Sequence, residues 1–284
     1  MKAENHTNSV LDIIRKYAIS ETVNLPVFPG VAFELQQLLA DDSTSIDQVS
    51  KVISKDQALA TKVLRLANSA LFSGPVQIRT IKDALMRLGL NHVFNLVVCT
   101  SQRNLYKSKV PVLDKQLQAS WKHALCTAIG SKWLVQELGY KELKDEAFLA
   151  GLLHDIGKLV LVKVFESMIA KNDDLVLPAV LISKVFVLLH AEQGFKLMSE
   201  WGIPEVYCNT ARDHHTEDFD RDDTLLMAVR LVNRVCNMEG IGISPETQID
   251  IPALPEVDIL GITQDVLDEL HGVISEGGTS EFDD

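Results

Sequence analysis

Apolar residues recur along this chain at steps of three and four, and almost nowhere at steps of two. That rhythm follows the 3.6-residue turn of an α-helix, and no run alternates as a half-buried strand does. In "LPVFPGVAFELQQLLADD" the stripe is Val31, Leu35, Leu38 and Leu39, and Pro29 suits a first helical turn, where its missing N–H is not needed. "STSIDQVSKVIS" predicts a short amphipathic helix behind a Ser/Thr start. In "DQALATKVLRLANSALF" Asp56 is placed as an N-cap, and Leu59, Val63, Leu66, Ala67 and Ala70 share one face. "TIKDALMRLGL" and "NHVFNLVVCTSQRNLY" add two helices, with Gly89 suited to end the first.

Pro111, in "SKVPVLD" at 108–114, reads as a break after this first part. The second part opens with a long helix at about 115–138, followed by "GYKELKD" and an almost wholly apolar helix containing "AGLLHDIGKLVL", residues 150–161. A less regular stretch at 166–178 leads to "AVLISKVFVLLHAEQGFKLMSEWG", which reads as two helices meeting near His190. Pro204 restarts a helix running to "RDHH", and "DTLLMAVRLVNRVCNMEG" is another, closed by Gly240. Residues 241–262, rich in Pro and Gly, read as a loop before the short helix "TQDVLDELHGVIS". The expected fold class is all-α, with no internal repeat.

Composition narrows the function classes. The 284 residues, 46% hydrophobic and 23% charged, fill one large or two medium globular domains. No run reaches the ~18 apolar residues of a membrane span, and the best candidate is cut by Lys184. The start, "MKAENHTNSV", lacks an apolar signal core, so no membrane and a cytoplasmic location are expected. Cys99, Cys126, Cys208 and Cys236 form no C-x-x-C pair and are expected as buried free thiols. A net charge of −12 argues against a nucleic-acid partner, since phosphate neutralisation supplies most of such affinity. The local basic group Lys62, Arg65, Arg79, Lys82 and Arg87 reads as a solvated helix face.

Histidine separates the two parts. Five of the eight, His123, His154, His190, His214 and His215, fall in the second part beside Asp155. A single histidine on an apolar helix is ordinarily a satisfied core residue. A set of imidazoles with a carboxylate instead suits Mn, Fe or Zn. Gly151 and Gly157 flank the His154-Asp155 pair and remove bulk where a helix or a ligand must come close. Lys158 offers a phosphate a point charge, or snorkels at a helix end.

"AGLLHDIGKL" resembles the signature of the HD superfamily of metal-dependent phosphohydrolases, and "LPVFPGVAFELQQLL", "ISKDQALATKVLRLANSALF" and "TIKDALMRLGLNHVFNLVV" resemble the N-terminal half of its HDOD branch. The resemblance implies an HD-type helical core preceded by an N-terminal helical subdomain. It lays the chain out as a helical lead-in at 1–19 and an HDOD domain at 20–240. Within that domain 20–108 is the N-terminal half and 115–240 the HD-like half. A loop and helix at 241–275 and a disordered acidic tail at 276–284 complete the chain.

Carried over by residue, His123 matches the first family histidine, and His154 and Asp155 match the namesake pair. His190, His214 and His215 match the additional ligands of the cyclic-dinucleotide-hydrolysing HD-GYP branch. The closing aspartate falls at Asn233. An amide brings a neutral carbonyl in place of a charge, so hard-cation affinity falls there; Asp213, Asp222 or Asp223 are the acids that could stand in. "TEDFDRDD" follows His215 without Gly-Tyr-Pro.

Two functions follow from the resemblance. One is a bacterial-type signalling protein with a retained but altered site, meeting a protein partner through its N-terminal helices or binding metal or a nucleotide as a signal without turning it over. The other is a phosphohydrolase acting on a nucleotide or other phosphorylated small molecule, with Asp155 and Lys158 in the chemistry and one or two Fe, Mn or Zn ions as cofactor.

Overall fold

A computed structural model describes residues 13–17, 25–26, 28–39, 41, 43–69, 72, 74, 76–172, 175–243 and 248–276. No strand occurs among them, so the all-α expectation holds. The chain divides into two compact units: Phe28–Leu105, and Tyr106–Gly278 with the described residues that precede Phe28.

The described residues of 28–105 form five helices: α1 (Gly30–Leu39), α2 (Ile46–Ser54), α3 (Gln57–Ala67), α4 (Ile81–Leu88) and α5 (Leu90–Arg103). Their starts are written locally. Ser45 and Gln48 make a reciprocal capping box on α2, while Asp56 caps α3 and Thr80 caps α4. Each such cap contributes about 1 kcal/mol. Gly89, at φ 86°, ends α4 and opens α5 directly, a conformation that costs other residues a Cβ clash. The apolar stripes Leu35, Val49, Ile53, Val63, Leu85 and Val97 are all buried within this unit. Arg87 departs from the solvated basic face expected of it: it donates to the carbonyls of Ala67 and Val76 and ties the loop before α4.

The second unit holds α6 (Pro111–Glu137), α7 (Lys144–Leu153), α8 (Gly157–Lys171), α9 (Ala179–Glu200), α10 (Glu205–Asp213), α11 (Thr224–Met238), α12 (Pro255–Ile259) and α13 (Gln264–Glu276). Here α6 is the axis, packed by α7, α11 and α13, while α9 packs against α8 and α10. Leu134, Ala228, Val232, Leu267 and Leu270 fill the core between α6, α11 and α13.

Four local expectations are corrected. Pro111 opens α6 instead of breaking the chain, because a first-turn residue needs no N–H partner. The two helices expected to meet near His190 are one 22-residue helix, α9. Gly194, its weak point, faces the α8 backbone, where close packing offsets its low helix propensity. The irregular stretch expected from 166 is helical to Lys171, and part of the 241–262 loop forms a 3₁₀ turn, Ile251–Ala253, and α12.

Residues 13–17 are helical, and Arg15 pairs with Glu192 at 3.2 Å; the rest of the lead-in, Ala70, and the tail beyond Glu276 lie outside the described residues. All four cysteines are free and buried. No helix among the described residues is long and apolar enough to cross a membrane.

Candidate metal centre

Two glycines set the helix spacing that gathers the histidines. A Cβ on Gly151 would lie 2.7 Å from Ala128 Cα, so α7 can lie directly on α6 only because that position is bare. A Cβ on Gly157 would run into the carbonyl of His190, so α8 and α9 likewise meet backbone to backbone. The sequence reading of these glycines as sites of close approach holds for helix on helix.

This packing brings together His123 from the middle of α6, His154 and Asp155 from the turn after α7, and His190 from the middle of α9. His214 and His215 join from the end of α10, and Asn233 from α11. Lys158, in the first turn of α8, is buried and bonded to Asp155 Oδ2, which decides against snorkelling.

Four of the histidines are tethered in the same way. Nδ1 of His123 meets the Ile241 carbonyl at 2.9 Å, and that of His154 meets the Gly151 carbonyl at 2.7 Å. Nδ1 of His190 meets Phe186 O at 2.5 Å and that of His214 meets Ala211 O at 2.9 Å. A carbonyl only accepts, so each ring carries its proton on Nδ1 and presents a lone pair at Nε2. Those lone pairs converge on Asp155. His123 and His154 reach Oδ2 at 3.6 and 3.5 Å, while His190 and His214 reach Oδ1 at 3.2 and 3.8 Å.

The rings are uncharged at neutral pH. Burial pushes His154 down to about 3, His190 to about 4 and His215 to about 3, and lowers His123 and His214 as well. Burial works against the Asp155 carboxylate too, but the Lys158 ammonium beside it outweighs that and holds the group well below its ordinary range.

Lone pairs therefore face one another without protons between them. Nε2 of His190 and of His214 are 3.1 Å apart, and buried His154 Nε2 has no hydrogen-bond partner at all. Such an arrangement is costly unless a cation fills it. The ligand-type atoms form two groups, His123 with His154 and Asp155, and His190 with His214 and His215. Imidazole with a shared carboxylate is a donor set that Fe, Mn or Zn fits, with backbone tethers supplying the outer support such ligands use.

Asn233 belongs to the first group. Its Oδ1 lies 2.9 Å from His123 Nε2, and its buried Nδ2 has no partner. The acids that could have replaced its missing charge are elsewhere. Asp213 is bonded to Arg212, Asp223 caps α11 through Leu226 N at 2.9 Å, and Asp222 is exposed.

The centre opens into a cavity of about 240 Å³, lined also by Arg234, Asn237, Val187 and Ile243. Sequence reasoning missed these four. Asn237, four residues beyond Asn233 on the same helix face, could have been found by spacing. It also missed Arg230, whose Nη1 donates to the carbonyls of Asp213 and Thr216 at 3.0 and 2.8 Å. Arg230 thereby grips the segment that carries His214 and His215. Its Nε bonds Glu256 at 2.5 Å, and its guanidinium lies 3.8 Å from the Phe219 ring. An arginine inside "LLMAVRLV" was the available signal.

An all-helical core that brings histidines from three helices to a His-Asp turn defines a class of helical proteins with residues that could hold a metal. Within it, the chain belongs to the HDOD domain family, which it matches over residues 25–217. It is 28% identical over 197 residues to an uncharacterised protein of Treponema pallidum (strain Nichols), a match covering 68% of this chain and 38% of that one.

Among solved structures it is similar to a protein of Shewanella amazonensis SB2B provisionally named a metal-dependent phosphohydrolase. The TM-score is 0.77 at 17% identity, covering 98% of this chain and 100% of that one. It is also similar to an HDOD domain protein of unknown function from Geobacter sulfurreducens, with a TM-score of 0.74 at 22% identity, covering 97% and 98%. A third, provisionally named a signal transduction protein, comes from Marinobacter aquaeolei VT8. It has a TM-score of 0.63 at 21% identity, covering 89% of this chain and 57% of that one. These likenesses establish the shared fold.

Proposed function

We propose that this HDOD protein is a cytoplasmic signalling module of bacterial type whose second half holds metal as part of a ligand-binding site. In this reading it acts by binding a phosphorylated ligand and a protein partner, without turnover. The observation that carries it is the set of four backbone-tethered imidazoles whose lone pairs meet the two oxygens of one buried carboxylate. His123, His154, Asp155, His190, His214 and His215, with the Asn233 carbonyl, would hold one or two ions of Fe, Mn or Zn. A bound ion supplies Lewis acidity toward a phosphoryl oxygen. Asp155 serves both groups and Lys158 brings a cation for the ligand's phosphate.

Two observations favour binding over turnover. Asn233 lends no charge, which leaves Asp155 the only carboxylate in the cluster among the described residues. The cavity of about 240 Å³ is also small. Sites that enclose a drug-sized ligand run from roughly 300 to 1,000 Å³. A phosphate group with a small substituent fits within it. For the protein partner, residues 28–105 have no metal-ligand cluster among the described residues and expose Phe33 and Met86 on helices and Val76 in the loop before α4.

One observation favours a hydrolase as the second reading: the two oxygens of Asp155 face separate ligand groups, as a carboxylate shared by two catalytic cations must. Protein purified without chelators and analysed for metal, beside His154→Ala, tests the first reading together with a phosphoester panel. Bound metal lost in the variant, with no turnover, is the expected result. Turnover abolished by Asp155→Ala establishes the hydrolase instead, and metal-free wild-type protein overturns both readings.

A further inference from the structure

The two sides of Asp155 are unequal, and charge is what separates them. Oδ1 faces His190 and His214, with His215 beside them, and among the described contacts no cation meets it. Oδ2 faces His123 and His154 but already carries the Lys158 ammonium. The fourth group on that side is Asn233, neutral where a charge would help a cation. The cavity lining deepens the imbalance. Among the described lining residues the only acid is Asp155, and Lys158 lies on its Oδ2. A second divalent cation on the Oδ2 side would therefore meet a carboxylate oxygen already paired with an ammonium.

An anion reverses that balance. A phosphate group entering the cavity meets Lys158, with the Asn237 amide also on the lining. It gives the Lys158 ammonium a second partner, and every step of that ammonium away from Oδ2 releases the oxygen to a cation. We propose that the site fills in two stages. The His190–His214–His215 side takes one ion alone. The His123–His154–Asn233 side takes its ion only together with a phosphate-class anion, Lys158 passing from Asp155 to that anion. Cation and anion binding are thus positively linked, each raising the affinity for the other by the same factor. The consequence is a coincidence detector that responds to a phosphorylated ligand and a metal together. This inference rests on the metal reading above and adds the linkage to it.

The test is a titration of chelator-stripped, full-length protein with Mn²⁺, counting free ion by its electron paramagnetic resonance signal, with and without millimolar inorganic phosphate and with chloride as control. One tight equivalent without phosphate, and a second tightened at least tenfold by phosphate but not chloride, is the expected result. In Lys158→Met the second equivalent should bind without phosphate and lose most of the phosphate effect. In Asn233→Asp it should tighten without phosphate while Lys158 preserves part of the linkage. Two equal equivalents that ignore phosphate, or a phosphate effect undiminished in Lys158→Met, overturn the linkage and leave the metal reading standing. No Mn²⁺ bound under any condition, with Fe²⁺ and Zn²⁺ equally unbound in the same stripped protein, removes both.

Discussion

Asn233 Oδ1 lies 2.9 Å from His123 Nε2, and both atoms are acceptors. The His123 proton is committed to the Ile241 carbonyl through Nδ1, so nothing on the ring can satisfy the amide oxygen. An amide has two ends, however. Turned over, the buried Nδ2 that now has no partner would donate to that same Nε2. Asn233 can therefore serve the metal-free protein as a donor and the loaded protein as a carbonyl ligand. An aspartate at 233 could serve only the second.

Asn233→Asp should accordingly act with opposite signs on the two forms. Without metal the variant faces a buried carboxylate with a lone pair, and a loss of about 1–3 kcal/mol is expected from an unsatisfied buried group. With metal the added charge raises affinity, by roughly tenfold or more on the scale of changes around metal ligands. Urea unfolding with and without chelator, beside a metal titration, reads both signs. A variant more stable than wild type in chelator would contradict the donor role.

Glycine substitutions should separate helix contact from chain flexibility. Gly157→Ala places a methyl against the His190 carbonyl, so α8 and α9 must part. Overpacking of this kind costs about 1–3 kcal/mol or more, and the same displacement moves His190 from Asp155 and weakens metal binding. Gly272 has nothing within 4 Å of its Cβ position and lies inside α13. Gly272→Ala should therefore stabilise by about 0.5–1 kcal/mol and leave metal binding unchanged. Melting curves and metal titrations of the two variants provide the comparison.

Arg230 and Glu256 form a buried pair outside the cavity lining. Glu256→Ala leaves a buried guanidinium with two carbonyl partners and no counter-charge. Breaking such a pair costs about 3–5 kcal/mol. Because Arg230 also holds Asp213 O and Thr216 O, the metal on the His214–His215 side should loosen as well. Equilibrium unfolding and metal affinity of Glu256→Ala and Glu256→Gln test this. Unchanged metal affinity in a folded variant would show that Arg230 does not position these histidines.

The metal-free protein should lose stability in mild acid. His154, at about 3, His190, at about 4, and His215, at about 3, take up protons in the unfolded chain near the ordinary histidine value of 6.5, but not in the folded state. A depressed base of this kind costs the fold nothing above pH 6.5. Stability falls as pH drops from there toward the folded values, because the unfolded state binds more protons. Denaturant midpoints measured in chelator from pH 8 to 4 should be level above about 7 and fall below about 6.5. A midpoint that rises on acidification would place protons on these rings in the folded state.

Much of this protein is legible in its sequence because its rules are local. The caps at Ser45, Asp56 and Thr80, the apolar stripes, and the turn at Gly89 each follow from neighbours a few residues apart. The expected ligand residues meet in space, because the family resemblance carries tertiary information that spacing does not. What escaped depends on partners distant in the chain. Gly194 leaves α9 unbroken because it lies on Gly157, and the Ile241 carbonyl orients His123 from a segment that reads only as loop. Arg230 reads as an oddity until Glu256 and the backbone after His214 are beside it. Pro111 was misread for a local reason: the same residue ends one helix pattern or begins another.

The central claim is that tethered imidazoles and Asp155 hold metal. X-ray absorption at the metal edge of the loaded full-length protein tests it most directly. The account predicts a first shell dominated by nitrogen, with the multiple-scattering signature of at least two imidazoles, reduced in His190→Ala. A shell of oxygen alone, or a spectrum unchanged by that substitution, would contradict it.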